Sequence, residues 1–279
     1  MKLFNLDHVA LLPYTTCNFK CSYCVDANRR LSMKVWDARA SDILTFLNEL
    51  SAKAVMVSGG EPLLWKDWPR LIKETLHTWY FLTNASVLPS WLRSTRHSIK
   101  LVIAAYHRSQ MDINTFIRNI ETLQDMSYPV FVKIVYDGTT LQFYDIEQIQ
   151  KANIPVSFSP MLGVKLTKEQ IDKALPYCQS EMYKSRFLPP PFGKRRNYQK
   201  CNAGTSSSFE IDGSKLLMCS HKTSLFDRIG TLDKPKLHRR AYPCYKNHCA
   251  CEWHTFSELD TRPNENVRWQ KFVDTGAWK

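Results

Sequence analysis

The sequence predicts an α/β protein: a partial (β/α)6 TIM-like barrel followed by a small C-terminal cysteine-rich domain. Three observations carry this prediction. Short, nearly all-apolar segments alternate with helical patterns over residues 8–160, as strands buried on both faces of a helix-covered parallel sheet do. The run Pro189-Pro190-Pro191 then ends the alternation, because proline continues neither a helix nor a central strand. Beyond it, residues 201–279 are rich in cysteine and turn residues and poor in helical periodicity.

The elements follow in order. The first strand is expected at Val9–Leu12. A helix over Asp37–Leu50 places Ile43, Leu44, Phe46, Leu47 and Leu50 on one broad apolar stripe. Strands follow at Ala54–Ser58, Trp79–Thr83 and Lys100–Ala105. The helix Asn114–Met126 carries Ile117, Ile120 and Leu123 on its buried side, and strands at Val130–Val135 and Val156–Ser159 complete the set. Six repeats are too few to close an eight-stranded barrel, so the barrel is open. Parallel strands put their C-terminal ends on one rim, where sites in such folds sit. Farther on, Ser208–Ile211 and Lys215–Met218 flank Asp212-Gly213, a hairpin turn signal. The expected organisation is a barrel over 1–183, a basic linker over 184–200 and a cysteine-rich domain over 201–279.

Composition narrows the function classes. A chain of 279 residues, 44% hydrophobic and 23% charged, is ordinary globular material and not a disordered one. No run of eighteen apolar residues suggests a membrane span, and Met1–Pro13 does not read as a signal peptide. A cytoplasmic protein is expected. The net charge of +12, from 38 Lys plus Arg against 26 Asp plus Glu, points to an anionic partner. Lys184, Arg186, Lys194, Arg195, Arg196 and Lys200, with Tyr183, Phe187, Phe192 and Tyr198 nearby, form one basic and aromatic run. Lys234, Lys236, Arg239, Arg240 and Lys246 form another. Such runs are usually solvated surface, but they also suit phosphate contacts and base stacking. A nucleotide, a phosphorylated sugar, an acidic peptide and a nucleic acid all remain open as partners.

The nine cysteines are more specific. Cys178 stands alone and reads as a small buried residue, with hydrogen-atom return to a substrate radical as its minor alternative. The other eight fall into two groups, Cys17, Cys21 and Cys24 near one end and Cys201, Cys219, Cys244, Cys249 and Cys251 near the other. Scattered core thiols would not cluster so, and reducing compartments disfavour disulfides. Metal or iron–sulfur ligation accounts for both groups. Three thiolates within eight residues can hold a cluster by one face and leave a further metal position open, which separates a reactive centre from a closed structural one. The competing reading is half a zinc site. For the C-terminal group, zinc with His248 or His254 as an added ligand is an equally serious reading.

The spacing Cys17-Asn-Phe-Lys-Cys21-Ser-Tyr-Cys24 resembles the cysteine motif of the radical S-adenosylmethionine (SAM) superfamily, with the aromatic Tyr23 before the last cysteine. Gly59-Gly60-Glu61-Pro62, after the second strand, is similar to that superfamily's GGEP motif, and Thr83-Asn84 to its Thr-Asn-Gly, with Ala85 in place of the glycine. The resemblance implies that Cys17, Cys21 and Cys24 hold a [4Fe–4S] cluster. It also implies that Tyr23, Gly59, Gly60, Glu61 and Asn84 line the SAM site, and that an electron donor such as flavodoxin or ferredoxin reduces the cluster. The implied reaction is reductive cleavage of SAM to a 5′-deoxyadenosyl radical, which abstracts a hydrogen atom from substrate for oxidation, epimerisation or bond formation. Cys201-Asn-Ala-Gly, then Asp212-Gly213 and Cys219, is similar to the opening of SPASM and twitch auxiliary-cluster domains. Five cysteines in place of the seven of a full SPASM domain imply one auxiliary [4Fe–4S] cluster, with Cys201, Cys219 and two of Cys244, Cys249 and Cys251 as ligands. At the fourth strand's exit, Tyr106 and His107 are candidate contacts for substrate or SAM, and Lys133 in the fifth strand is a candidate for a carboxylate or phosphate. The alternative from another class is a nucleic-acid binding protein whose cysteines hold structural zinc, which has no need of Gly59–Pro62.

Overall fold

The computed structural model describes residues 4–12, 16–24, 40–161 and 164–178. It also describes the backbone of strand residues 200–201, 210–212, 215–217, 228–231 and 242–243. Six parallel strands, β1 (Phe4–Leu12), β2 (Leu50–Val57), β3 (Thr78–Thr83), β4 (Ile99–Tyr106), β5 (Val130–Tyr136) and β6 (Val156–Pro160), pair in sequential order. Each expected strand is present, and most are longer than the apolar run that signals them. Helices α1 (Ala40–Glu49), α2 (Trp68–Glu74), α3 (Leu92–Thr95), α4 (Ile113–Asp125) and α5 (Leu141–Lys151) lie between consecutive strands, and α6 (Lys168–Ala174) follows β6. This is the partial (β/α)6 barrel.

Side chains sort by the two-residue period of a strand. On β3, Trp79 and Phe81 meet Trp68 of α2 at ring distances of 5.8 and 5.3 Å. On β4, Tyr106 meets Phe116 of α4 at 4.9 Å. On β5 and β6, Tyr136 and Phe158 lie 4.8 Å apart, and Phe143 of α5 packs on Phe158 at 5.3 Å. These residues define the helix-covered face. The residues between them, including Tyr80, Leu82, Ala105, Lys133, Ser157 and Ser159, belong to the opposite, inner face of the curved sheet.

Helix α1 buries Ala40, Ile43, Phe46 and Leu47, as its stripe predicts. Helix α4 buries Ile120 and Leu123 as expected, with Ile117 partly buried against the core and Phe116 added to the buried side. Asp112 caps α4 by accepting a hydrogen bond from the Thr115 amide. Thr167 and Gln170 form a capping box on α6.

The expected hairpin forms from β8 (Glu210–Asp212) and β9 (Lys215–Leu217). It does not stand apart from the barrel sheet: β8 runs parallel to β1, with Leu12 opposite Asp212, and β10 (Arg228–Thr231) adds to β9. The sheet order is β10-β9-β8-β1-β2-β3-β4-β5-β6. A separate pair joins β7 (Lys200–Cys201) and β11 (Tyr242–Pro243), with Cys201 opposite Tyr242. Cys219, Cys244, Cys249, Cys251 and nearly all of both basic runs lie outside the described residues. Among the described residues no helix is long and apolar enough to cross a membrane.

Candidate active site

The rim at the C-terminal ends of β1, β2 and β3 gathers the expected site residues. Cys17, Cys21 and Cys24 are half-buried on the loop after β1. Its backbone is tied to the next strand's exit, where the Glu61 amide donates to the Thr16 carbonyl at 2.8 Å. Gly59 adopts φ 124°, a conformation that a side chain disfavours, so the chain turns there directly beside the cysteine loop.

Glu61 is the junction of this rim. It is fully buried, and its Oε1 accepts from the Leu63 amide at 2.9 Å and from the Thr83 hydroxyl at 2.6 Å. Its Oε2 accepts from the Asn84 amide at 2.6 Å. Burial raises its pKa, and the three donors pull it back towards ionisation. The carboxylate thereby fixes the exit of β2 to the exit of β3. Its side chain serves this junction, while Gly59 and Gly60 are the partly exposed part of the motif.

Asn84 extends the network to the thiols. Its Nδ2 donates to Asn18 Oδ1 at 3.1 Å and lies 3.8 Å from Cys17 Sγ. The Ser86 amide and hydroxyl donate to Asn84 Oδ1, and Asn18 donates back to Ser86 Oγ at 2.8 Å. Ala85, where the resemblance expects glycine, takes a left-handed φ of 52°. The strain, on the order of 1 kcal/mol for a residue with a Cβ, is held by the Ala85 amide donating to Thr83 Oγ1 and its carbonyl accepting from Asn119.

The β4 exit closes the loop from the other side. Tyr23 hydroxyl and His107 Nδ1 lie 2.8 Å apart with their rings stacked, and Phe19 meets the same imidazole edge-on at 5.9 Å. The Lys20 amide donates to Gln110 Oε1 at 2.9 Å. Burial, with the positive charge of Lys133 as a lesser cause, pushes His107 down to about 4. Tyr106 and His107 therefore part company: Tyr106 packs on α4 within the core, and His107 alone reaches the rim. Lys133 is half-buried on the inner face, opposite Ala105 and Ser157 in the ladder. Cys178 is 2% exposed, its thiol 3.5 Å from the Ala174 carbonyl, which is the small-residue role expected of it.

The donor set suits an iron–sulfur cluster. Three thiols share one short loop, and Cys17 Sγ is approached by the Phe19 amide at 3.4 Å as well as by Asn84. N–H groups aimed at sulfur stabilise thiolate and tune the metal behind it. Among the described residues no group of three or more His, Cys, Asp or Glu side chains converges to hold a metal ion, the three thiols included.

No protein-family model matches the chain. The GTP 3′,8-cyclase of Psychromonas ingrahamii is 40% identical over 70 residues, which are 24% of this chain and 21% of that protein. The GTP 3′,8-cyclase of Aliarcobacter butzleri is 25% identical over 193 residues, 66% of this chain and 55% of the relative. The chain thus spans about half or less of the length of the curated relatives it matches. Among solved structures, anSMEcpe with bound AdoMet superposes with a TM-score of 0.60 at 13% identity, over 96% of this chain and 99% of that one. The same protein with AdoMet and the Kp18Cys peptide also gives 0.60, at 13% identity over 93% and 99% of the two chains. Streptococcus suis SuiB bound to S-adenosylmethionine gives 0.58 at 14% identity, over 83% of this chain and 62% of that one.

The fold is that of the radical SAM enzymes. Both curated relatives are GTP 3′,8-cyclases, and the solved structures that share the fold hold bound S-adenosylmethionine. Within this radical SAM fold, Phe19, Gln110, Arg108 and Asp145 are parts of the rim that sequence reading missed. Arg108 Nη1 bonds Asp145 Oδ1 of α5 at 2.6 Å, with Asp145 buried. No motif marks these residues. Only the position of Phe19 and Gln110 beside Cys17–Cys24 and His107 could have drawn attention to them.

Proposed function

We propose that this protein is a radical SAM enzyme acting on an anionic substrate, with Cys17, Cys21 and Cys24 as ligands of the SAM-cleaving cluster. The observation that carries the reading is the hydrogen-bonded rim in which Glu61 and Asn84 join the cysteine loop to the exits of β2 and β3. A [4Fe–4S] cluster held by Cys17, Cys21 and Cys24 and reduced by a flavodoxin- or ferredoxin-type donor would supply reductive cleavage of SAM and, through it, hydrogen-atom abstraction from substrate carbon. The chain's own contribution is placement. Gly59 and Gly60 expose backbone to the amino end of SAM, Asn84 and Tyr23 bound the same space, and the inner face of the sheet holds the substrate and excludes water. Lys133 on that face, together with the basic composition, favours a substrate bearing phosphate or carboxylate. The names of the relatives make a nucleotide the first candidate, and the peptide complex of a fold neighbour makes an acidic peptide the second.

Residues 201–279 are assigned an auxiliary [4Fe–4S] cluster of SPASM or twitch type, behind a linker over 184–200. The pairing of Cys201 with Tyr242, two positions before Cys244 in sequence, supports this. The hairpin against β1 would then hold the auxiliary segment beside the barrel. Reduced thiols and reducible clusters suit the cytoplasm.

Iron and acid-labile sulfide after anaerobic reconstitution test the assignment. About eight irons per chain, falling to about four in a Cys17/Cys21/Cys24→Ala variant, is the expected result for two [4Fe–4S] clusters. Formation of 5′-deoxyadenosine with GTP, and separately with a cysteine-containing acidic peptide, then separates the two substrate classes. Zinc in place of iron would overturn the reading in favour of a nucleic-acid binding protein.

A further inference from the structure

We propose that His107 is a positioning residue for the iron–sulfur loop, acting through its hydrogen bond to Tyr23. The inference rests on the assignment of Cys17, Cys21 and Cys24 as cluster ligands, and extends it to a residue outside any cysteine motif. Its basis is geometric. Three residues of the loop from Cys17 to Cys24 grip the turn that follows β4: Phe19 edge-on to the imidazole, Lys20 through its amide to Gln110, and Tyr23 through both ring and hydroxyl. Phe19 and Tyr23 lie on either side of Cys21, and Tyr23 directly precedes Cys24. A ring held between them therefore restrains the backbone that carries two of the three sulfurs.

The grip is itself anchored. Arg108, the next residue, bonds the buried Asp145 of α5 at 2.6 Å and the Leu141 carbonyl at 3.3 Å. Gln110 and Met111 donate their amides back to the His107 carbonyl at 2.9 and 3.2 Å. The β4 exit is thus a turn closed on His107 and pinned to α5, a rigid element from which a ligand loop can be held. An imidazole kept neutral by burial has one ring nitrogen free to accept. One proton is shared between the Tyr23 hydroxyl and Nδ1, and the imidazole tautomer sets which of the two donates. Partners one step removed from metal ligands orient them and usually change metal retention about 10- to 100-fold when lost.

The test is chelator-driven loss of iron from the reconstituted protein, with the electron paramagnetic resonance spectrum of the reduced cluster recorded with and without SAM. Tyr23→Phe and His107→Leu should each speed loss of the N-terminal cluster about ten-fold and alter the SAM-induced spectral change. The double variant should be no worse than Tyr23→Phe alone, because that change already removes the bond that His107→Leu removes. His107→Gln, which keeps an acceptor, should stay near wild type. Wild-type iron loss and spectra in both single variants would overturn the proposal, even if their melting temperatures fell, since packing alone would then explain the ring. Multiplying effects in the double variant would overturn it as well. Retention of all iron in Cys17/Cys21/Cys24→Ala would instead remove the cluster assignment, and this inference with it.

Discussion

Glu61 and Thr83, twenty-two positions apart on the exits of β2 and β3, share a hydrogen bond of 2.6 Å between a fully buried carboxylate and a hydroxyl. The same hydroxyl receives the Ala85 amide, so the left-handed turn after β3 is built on the acid of the preceding strand's exit. A motif of four residues and a turn two strands' length away are therefore one structural unit.

Glu61→Gln would turn an amide NH2 towards one of three existing donors. The expected loss is about 2 kcal/mol of unfolding free energy, from one broken bond and one buried donor left unsatisfied. Denaturant unfolding of Glu61→Gln, Thr83→Val and the double variant checks this, with a double-variant loss well below the sum of the singles. A fully additive result would mean that the two side chains do not share the bond.

His107 should titrate near pH 4, below its ordinary value of 6.5, because burial disfavours the imidazolium. The sign follows from linkage: between these values the unfolded chain binds a proton that the folded one refuses, so stability falls as pH drops through this window and is unaffected above it. The groups facing the ring are the Tyr23 phenol and the Lys133 ammonium, both of which oppose protonation or leave it unaided. At about 1.4 kcal/mol per unit, the full window corresponds to roughly 3 kcal/mol. Ring 15N shifts followed from pH 7 to 4 provide the check, and a midpoint near 6.5 would contradict the burial seen here.

Asp145 is 1% exposed, and its Oδ2 has no hydrogen-bond partner among the described residues. Burial raises its pKa against the opposing pull of Arg108. Because Arg108 itself is substantially exposed, Asp145→Asn should cost less than a fully buried pair, about 2 kcal/mol. The thermal midpoint should fall accordingly, and Arg108→Met should recover little of it. No change in Asp145→Asn would show that the pair does not anchor the β4 exit.

If the substrate is anionic, its KM should rise several-fold between low and moderate salt, while the KM for SAM, whose sulfonium makes it a net cation, does not rise with it. GTP is the first probe. A KM for GTP that is flat across salt would remove the basic surface from substrate capture.

The six strands were legible from sequence because a strand packed under helices must be apolar at least at every second position, as Val130, Val132 and Ile134 or Val156 and Phe158 are. The cysteine loop and Gly59–Pro62 were legible because their chemistry depends on residue type and local spacing. On helix α4 the stripe of Ile117, Ile120 and Leu123 was legible, and only the full burial of Phe116 against the ring of Tyr106 was not. The same packing sent Tyr106 into the core and left His107 on the rim, a distinction that two adjacent residues at a strand end do not announce. Likewise the bonds by which Glu61 joins the exits of β2 and β3 are not written in the Gly-Gly-Glu-Pro motif. Sequence by itself determined the strands and the grouping of three thiols on one short loop, both written in local composition. The tertiary structure alone decided which side chains meet, because hydrogen bonds such as Tyr23–His107, 84 positions apart, exist only once parallel strands bring their ends to one rim.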